Sequence, residues 1–428
     1  MKIVGYFSKF CAFAIACGPF AAWGSISNLE LTQNKSPHAV QRDRLVQPEL
    51  SSHDYLTILK HLGKQALPLD DHSLLTFFRN KRILVTGGAG SIGSEIIHQA
   101  CRYHPQQIVA VDLSEFQTFQ AQRTLHEFCP KTQLVTYLIG SITDADWIEA
   151  VLAQYQINMI YHAAAYKHVP LMEENPYQVV RNNVGGTRTL LALAAKAQVP
   201  IFVNISTDKA VAPSNAMGTG KRVNELLVRN TNETLSEDFN YVSVRFGNVF
   251  GSSGSVGPIF QEQIRKKGPI TITHRDMTRY LMSISEAAQL VLVASSFPKT
   301  RNGIYILDMG EPVKILDLAQ TMIQYLGYRP HDIPIQEIGI RPGEKLHESL
   351  CLDHENLQPT SHERIRIVQD KQNTADISTQ VDALLQIKPH QGSELIRKEL
   401  QIIIEHRTSV RGLFFTWPNH SFTHRIMS

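Results

Sequence analysis

The stretch "KRILVTGGAGSIGSEIIHQACRY", residues 81–103, changes from an aliphatic run to spaced glycines and then to a helical pattern. This order predicts a strand, a tight turn and a helix. In the GxxGxxG frame the first glycine permits the turn, the second lets the backbone approach a pyrophosphate, and the third lets the helix pack closely on the strand. Free amides at the start of the helix can bind that pyrophosphate. The predicted contacts of this dinucleotide site are Gly87, Gly90, Ser91, Ile92 and Gly93.

Apolar runs of strand length recur after this unit, with helical stretches between them. The runs are "QIVAVDLS", "QLVTYLIGSI", "INMIYHAAA", "IFVNISTD" and "YVSVRFGNVFG". Their alternation with helices predicts an α/β fold, a Rossmann-type doubly wound parallel sheet covered by helices on both faces. From about Gly251 on, short strands, helices and charged loops predict a smaller C-terminal substrate-binding lobe.

Two further strand ends fit a dinucleotide. Asp112 closes the second predicted strand, where a carboxylate accepts hydrogen bonds from both ribose hydroxyls and repels a 2′-phosphate. This favours NAD over NADP, although an Asp that only caps the next helix is the alternative. Ala163, Ala164 and Ala165 end another strand, and their small side chains let the strand end lie against a flat cofactor ring.

The composition limits the class of protein. The 428 residues carry a net charge of +3 and 19% charged residues, and no basic run is interleaved with aromatics, so a nucleic-acid partner is not expected. The cysteines lack metal-type spacing, which predicts free thiols, a reducing cytoplasmic compartment and no metal site. They are Cys11, Cys17, Cys101, Cys129 and Cys351.

The N-terminus carries lysines and then an apolar stretch, within residues 1–23. The stretch is shorter than the roughly 20 residues that a spanning helix needs. Three interpretations stay open: a segment that associates with the inner face of the cytoplasmic membrane, an unstructured leader or start-site artefact, and a cleaved signal peptide. We assign residues 1–60 to this leader and a linker, residues 61–370 to an NAD(P)-binding catalytic domain, and residues 371–428 to a C-terminal helix and tail.

Six motifs stand in one order along the chain: "TGGAGSIG", "HAAAYKHVP", "NNVGGT", "STDKA", "RFGNVFGSSGSVGP" and "IRPGEKLHE". As a set they resemble the extended short-chain dehydrogenase/reductase superfamily, and more narrowly its inverting UDP-N-acetylglucosamine 4,6-dehydratases of polysaccharide and lipopolysaccharide biosynthesis. The resemblance covers about Leu62 to Val368. It implies an NAD(P) cofactor, a UDP-sugar substrate and a homo-oligomer. Longer members of that family carry transmembrane helices ahead of the catalytic part.

The resemblance also implies a reaction. C4 of the sugar is oxidised by hydride transfer to the nicotinamide, a base removes the C5 proton, water leaves from C6 with help from an acid, and the hydride returns to C6. Thr207 matches the residue that hydrogen-bonds the substrate hydroxyl, and Lys221 matches the lysine that binds the nicotinamide ribose. Asp208 and Lys209 match the pair that serves as C6 acid and C5 base.

Met217 stands four residues before Lys221, where most enzymes of the superfamily have Tyr. A thioether cannot take a proton at neutral pH, so Met217 is expected to pack against the nicotinamide or the sugar. The proton of the C4 hydroxyl must then leave through Thr207, Lys221 or a water, and the sequence does not choose among them.

The diphosphate and the sugar need cationic and polar donors. A loop containing "IRPGEKLHE" supplies several, since Arg can bond two phosphate oxygens at once. The candidate substrate contacts are Lys167, His168, Arg245, Asn248, Arg279, Arg341, Lys345 and His347.

Two other functions fit parts of the sequence. A UDP-hexose 4-epimerase shares the fold and cofactor, but it uses the Tyr that Met217 replaces and has no need of an Asp208–Lys209 pair. A non-catalytic protein that binds NAD or a nucleotide sugar would keep the glycine-rich turn. It would not need the Tyr, and it would have no use for the Asp208–Lys209 pair. The predicted function is therefore the UDP-N-acetylglucosamine 4,6-dehydratase, a hydro-lyase.

Overall fold

The computed structural model describes residues 49–64, 72–129, 131–300, 303–369 and 376–405. Its strands in chain order are β1 (Arg82–Thr86), β2 (Gln107–Asp112), β3 (Val135–Ile139), β4 (Met159–His162), β5 (Ile201–Ile205), β6 (Asn240–Arg245), β7 (Asn248–Phe250), β8 (Ile270–Ile272), β9 (Thr278–Arg279), β10 (Leu281–Ser283), β11 (Ile304–Leu307), β12 (Val313–Lys314), β13 (Ile335–Glu337), β14 (Asn356–Pro359) and β15 (Ile365–Gln369).

The α-helices of the same residues alternate with the first strands. They are α1 (Ser52–His61), α2 (His72–Phe78), α3 (Ser91–Cys101), α4 (Glu115–Phe128), α5 (Ala145–Gln154), α6 (Val169–Glu174), α7 (Pro176–Gln178), α8 (Gly186–Lys196), α9 (Ala216–Thr234), α10 (Val256–Arg265), α11 (Ile284–Ser295), α12 (Ile315–Tyr325), α13 (Ser378–Leu385) and α14 (Ser393–Glu405).

The large sheet has the strand order β14-β15-β11-β6-β5-β4-β1-β2-β3. Seven neighbouring strands of this sheet are parallel, namely β3, β2, β1, β4, β5, β6 and β11. The strands β15 and β14 add an antiparallel edge. The order of β1 to β6 is the one that defines a Rossmann sheet, and it reverses between β1 and β4, where such sheets bind ligands. The predicted doubly wound parallel sheet is confirmed.

Side chains of each central strand alternate between two helical layers. Ile83 and Val85 of β1 pack with α2, α3, α4 and α11, whereas Leu84 packs on the other face with α5, α8, α9, α13 and α14. Successive residues of a strand point to opposite faces of the sheet, so a strand buried on both faces needs a continuous apolar run. The run "RILVT" of β1 is such a strand.

A third apolar cluster forms the smaller lobe. It joins α10, α12 and β8 with α1, whose Ile58 and Leu59 are buried against this lobe. The apolar side chains of α1 therefore have partners in this lobe. Most of the other buried residues of this cluster come after residue 251.

Two expectations about the thiols and the N-terminus have different outcomes. Cys101 and Cys129 form a disulfide between the ends of α3 and α4, so the prediction of free thiols is wrong for this pair. Cys351 is free.

Residues 1–23, which contain Cys11 and Cys17, lie outside the described residues. Among those described, no helix combines the length and apolarity needed to cross a membrane.

A buried ion pair ties the sheet to its antiparallel edge. Arg245, at the end of β6, donates two hydrogen bonds to Glu225 of α9 at 2.8 and 3.0 Å and two to Glu355, just before β14, at 2.7 and 3.2 Å. Burial alone would raise the pKa of Glu225, but the charges of Arg245 and Arg222, with hydrogen bonds from Arg245 and Ser206, lower it to about 2. The charges of Arg245 and Arg222 also lower the pKa of Glu355 against the effect of its burial, so both carboxylates are ionised and need the guanidinium.

Replacing Arg245 with Met should destabilise the fold by about 3–5 kcal/mol, because two carboxylates then stay buried with less positive charge. Urea unfolding followed by circular dichroism measures the loss. Arg188→Met is the control, since the pair of Arg188 with Asp382 is largely exposed and should contribute at most about 1 kcal/mol. Equal losses in the two variants would contradict the role given to Arg245.

Candidate functional site

A cavity of about 830 Å³ opens at the carboxyl ends of the parallel strands. Its walls come from the segments that follow β1, β2, β3, β4, β5 and β6, which is where open α/β sheets bind ligands. All the predicted cofactor contacts line it: Gly87, Gly90, Ser91, Ile92, Gly93, Asp112, Ala163, Ala164, Ala165 and Lys221. Of the other candidates, Thr207, Lys209, Met217, Lys167, His168 and Asn248 also line it.

The glycine-rich turn is shaped by close backbone approaches. Gly87 has φ of +66°, and a Cβ on it would lie 2.7 Å from the amide nitrogen of Ala164. A Cβ on Gly93 would overlap the carbonyl oxygen of Gly87. Gly90 is the N-cap of α3 and offers no side chain to its first amides, which leaves them to bind an anion. The turn therefore has the geometry that a dinucleotide pyrophosphate requires.

Asp112 joins the glycine-rich turn to the end of β2. One carboxylate oxygen accepts from the Ala89 amide at 3.1 Å and the other from the Ser114 amide at 2.9 Å. Ser114, and not Asp112, is the N-cap of α4, since its side chain accepts from the Gln117 amide. The carboxylate of Asp112 faces the cavity wall at the position where a Rossmann fold holds the ribose hydroxyls.

A loop after β7 crosses the entrance to the glycine-rich turn. The amide of Ser253 donates to the hydroxyl of Ser91 at 3.1 Å. Gly254 allows close packing against His168, because a Cβ there would lie 2.6 Å from the imidazole. This "GSSGSVG" stretch is part of one of the six motifs, and no contact was predicted for it. Its density of small residues is the signal that marks a close approach.

One carboxylate oxygen of Asp208 links the side chains of Thr207 and Lys209. Oδ1 of Asp208 accepts from the Thr207 hydroxyl and from the Lys209 ammonium, each at 2.9 Å. Lys209 also donates to Oδ1 of Asn248 at 3.1 Å. Asp208 is fully buried and Lys209 partly exposed, so Thr207 and Lys209 face the cavity and Asp208 lies behind them. A proton on either can pass to the carboxylate between them.

Lys221 and Met217 lie side by side on α9. Burial lowers the pKa of Lys221 to about 8, and the charge of Glu225 partly opposes this. Its ammonium donates to the carbonyl of Ile205 at 2.7 Å. Met217 is 3% exposed and forms cavity wall with an apolar core behind it. A hydroxyl acid or base is thus missing at the Met217 position itself.

Five of the candidate substrate contacts do not line this cavity. Arg245 lies in the core ion pair described above. Arg279 donates to the carbonyls of Leu346 and Lys345, and so holds their loop. The side chains of Lys345 and His347 bond Val211 and Thr278, and Arg341 is exposed. A role for these five in binding substrate stays a prediction.

Glu348, which the sequence analysis did not single out, is part of the site. Its Oε1 lies 3.8 Å from the Lys209 ammonium, and its side chain is 4% exposed. It is the last residue of "IRPGEKLHE", so its place in a motif was visible. The motif could not show that Glu348 turns inward while its neighbour His347 is exposed.

The strand order and the glycine-rich turn are those of the dinucleotide-binding class of Rossmann-fold proteins. Within this class the chain belongs to the polysaccharide biosynthesis protein family, whose model matches residues 83–370. The resemblance to proteins of polysaccharide biosynthesis is thus confirmed.

Known proteins similar to the chain have related names. It is 43% identical over 304 residues to the capsular polysaccharide biosynthesis protein CapD of Staphylococcus aureus, covering 71% of this chain and 50% of CapD. It is 33% identical to a UDP-N-acetylglucosamine 4,6-dehydratase (inverting) of Campylobacter jejuni (63% and 77% covered) and 33% identical to a UDP-glucose 4-epimerase of Rickettsia canadensis (64% and 78%). The chain spans about half the length of the first relatives. Identity alone does not separate dehydratase from epimerase.

Gly93→Ala should weaken cofactor binding at least about a hundredfold, because the added methyl group overlaps the Gly87 carbonyl and must displace the turn. Titration with NADH, followed by its fluorescence, measures the affinity. Gly63→Ala is the control: its Cβ meets nothing within 4 Å, although φ is +76°. It should lose about 1 kcal/mol of stability and bind normally, and normal binding by Gly93→Ala would contradict the assignment.

Proposed function

We propose that the protein is a nucleotide-sugar 4,6-dehydratase that acts on UDP-N-acetylglucosamine with NAD, in surface polysaccharide biosynthesis. The observation that carries the proposal is the Asp208 carboxylate bonded to both Thr207 and Lys209, two groups that face the cavity. This arrangement provides proton acceptors for two different positions of one sugar, which a dehydratase needs and a simple dehydrogenase does not.

The described residues fit a dinucleotide. The amides that the glycine-rich turn leaves free at the start of α3 would bind the pyrophosphate. Lys221 would bind the nicotinamide ribose, and Asp112 favours NAD because it repels a 2′-phosphate. Bound there, NAD would supply the redox chemistry, taking a hydride from C4 and returning it at C6. The relatives whose names include a dehydratase or an epimerase of UDP-sugars support this choice.

Thr207 takes over the task that a Tyr has elsewhere in the superfamily. Its hydroxyl already donates to Asp208 at 2.9 Å. When the 4-hydroxyl of the sugar gives its proton to Thr207, the Thr207 proton can pass to Asp208 in the same step. Of the three routes left open by the sequence, this hydrogen bond favours Thr207. Lys221 is turned to the Ile205 carbonyl and serves the cofactor.

Lys209 first releases the proton of its resting ammonium to solvent and then removes the C5 proton as a neutral amine. A proton gained by Asp208 removes the negative charge beside Lys209, and this favours the neutral amine at the moment when it is needed. After water has left, the ammonium returns its proton to C5. Asp208 returns its own proton, through Thr207, to the departing 6-hydroxyl. The proton from O4 thus leaves in the water, and the cycle consumes no outside acid or base.

The sugar nucleotide lies between the sheet and the smaller lobe. Lys167, His168 and Asn248 line the cavity and are the donors placed for the sugar and the diphosphate. Since NAD and UDP-sugars are metabolites of the cytoplasm, we place the catalytic part there. Association of residues 1–23 with the membrane and assembly into a homo-oligomer stay predictions.

A 4-epimerase is the second candidate because a relative of equal identity has that name. An epimerase needs one proton shuttle at O4 and leaves C5 and C6 untouched. Lys209 facing the cavity, with a carboxylate behind it, would have no task in that reaction. The same argument counts against a non-catalytic binding protein.

Incubation with UDP-N-acetylglucosamine and NAD, followed by mass spectrometry, tests the proposal. A product that has lost the mass of one water is expected, whereas an isobaric 4-epimer or unchanged substrate would contradict a dehydratase. Lys209→Ala should lower turnover at least about a thousandfold while NADH binding is kept. The control is Lys196→Ala, since Lys196 pairs with Glu149 at an exposed position and should turn over normally.

A further inference from the structure

Glu348 lies at an ion-pair distance from Lys209, the proposed C5 base. Its Oε1 is 3.8 Å from Nζ of Lys209, and its side chain is almost fully buried. Its Oε2 and the Oδ2 of Asp208 are buried, and neither has a hydrogen-bond partner among the described residues. Buried carboxylates usually have all their acceptors satisfied, so two unsatisfied ones around a single lysine need an explanation.

The loop that carries Glu348 is fixed on both sides. Arg279 donates to the carbonyls of Lys345 at 2.9 Å and Leu346 at 3.1 Å, and the amide of Thr278 donates to the same Leu346 oxygen at 3.2 Å. Lys345 in turn donates to the carbonyl of Val211, just beyond the Thr207–Lys209 turn. The segment just before Glu348 is therefore held both by β9 and by the segment that follows Lys209.

The ammonium of Lys209 has three N–H donors and three acidic or amide oxygens around it. Asp208 and Asn248 accept hydrogen bonds at 2.9 and 3.1 Å. The third oxygen belongs to Glu348 at an ion-pair distance. A neutral amine has only two donors, so the third oxygen matters most when Lys209 is charged.

We propose that Glu348 is a positioning residue for Lys209, whose carboxylate directs the ammonium and favours its charged form. This inference rests on the proposed function, in which Lys209 takes the C5 proton and becomes charged. Glu348 then stabilises the ammonium that the proton transfer creates, without touching the sugar. Asp208 varies in charge through the cycle, and Glu348 supplies a charge that is independent of the Thr207 relay.

The charged groups that face Glu348 come from three segments. They are Asp208, Lys209, Arg279 and Lys345. Burial raises the pKa of the Glu348 carboxyl and so does Asp208, whereas the three cations lower it, and the net direction is upward. Three cations and one anion thus surround the Glu348 carboxyl, and Lys209 is one of the cations.

The test measures the charge state of Lys209 without turnover. The protein is treated at about pH 8 with an N-hydroxysuccinimide ester of acetate, in which a neutral amine forms the N–acetyl bond and N-hydroxysuccinimide leaves with the proton going to buffer. Peptide mass spectrometry follows the acetylation of Lys209. Glu348→Gln should be acetylated about tenfold faster than the unchanged protein, because the isosteric amide removes the charge that favours the ammonium.

Two further variants isolate the charge. Glu344→Gln removes a carboxylate from the same loop, but this one bonds Arg279, and Lys209 should react at the unchanged rate. Glu348→Asp keeps the charge and should also react near that rate. Equal rates in Glu348→Gln and the unchanged protein, or Glu348→Asp reacting as fast as Glu348→Gln, would overturn the inference. Since labelling needs no sugar, its outcome is separate from whether UDP-N-acetylglucosamine is dehydrated.

Discussion

The site depends on a carboxylate, Asp208, that is fully buried and shared by two neighbours in the chain. The short 3-10 helix Asp208–Ala210 begins directly at the end of β5, with Thr207 as its N-cap. This turn brings the side chains of Thr207 and Lys209 to the same oxygen of Asp208. A buried carboxylate requires charged or hydrogen-bonding partners, and here those partners are the two groups that face the cavity. The hydrogen bonds that stabilise the buried carboxylate of Asp208 are thus the same ones that the proposed proton transfer uses.

The parts of the fold that follow from local pattern could be read from the sequence. The glycine-rich motif predicts the path of the backbone from strand to turn to helix, because Gly93 must approach the Gly87 carbonyl. The alternation of apolar strands and helices likewise leaves a parallel sheet as the way to bury both strand faces. These features lie within short segments, so the residues that determine them are neighbours in the chain.

The parts that depend on distant partners could not be read in this way. The motif "RFGNVFG" does not show that Glu225 and Glu355 surround Arg245 in the core. The separations of 20 and 110 residues hide this pairing from any local pattern. The disulfide between Cys101 and Cys129 could not be predicted for the same reason, since the spacing of the cysteines does not show that α3 and α4 end side by side.

In the proposed reaction Thr207, backed by Asp208, takes the proton of the C4 hydroxyl where Met217 replaces the usual Tyr. Single-turnover reduction of bound NAD by UDP-N-acetylglucosamine, followed at the absorbance of NADH, tests it most directly. Thr207→Val, which keeps the shape and removes the hydroxyl, should slow this step at least about a hundredfold with cofactor binding unchanged. Thr207→Ser, which restores the hydroxyl, should recover most of the rate. An unchanged rate in Thr207→Val would contradict the account.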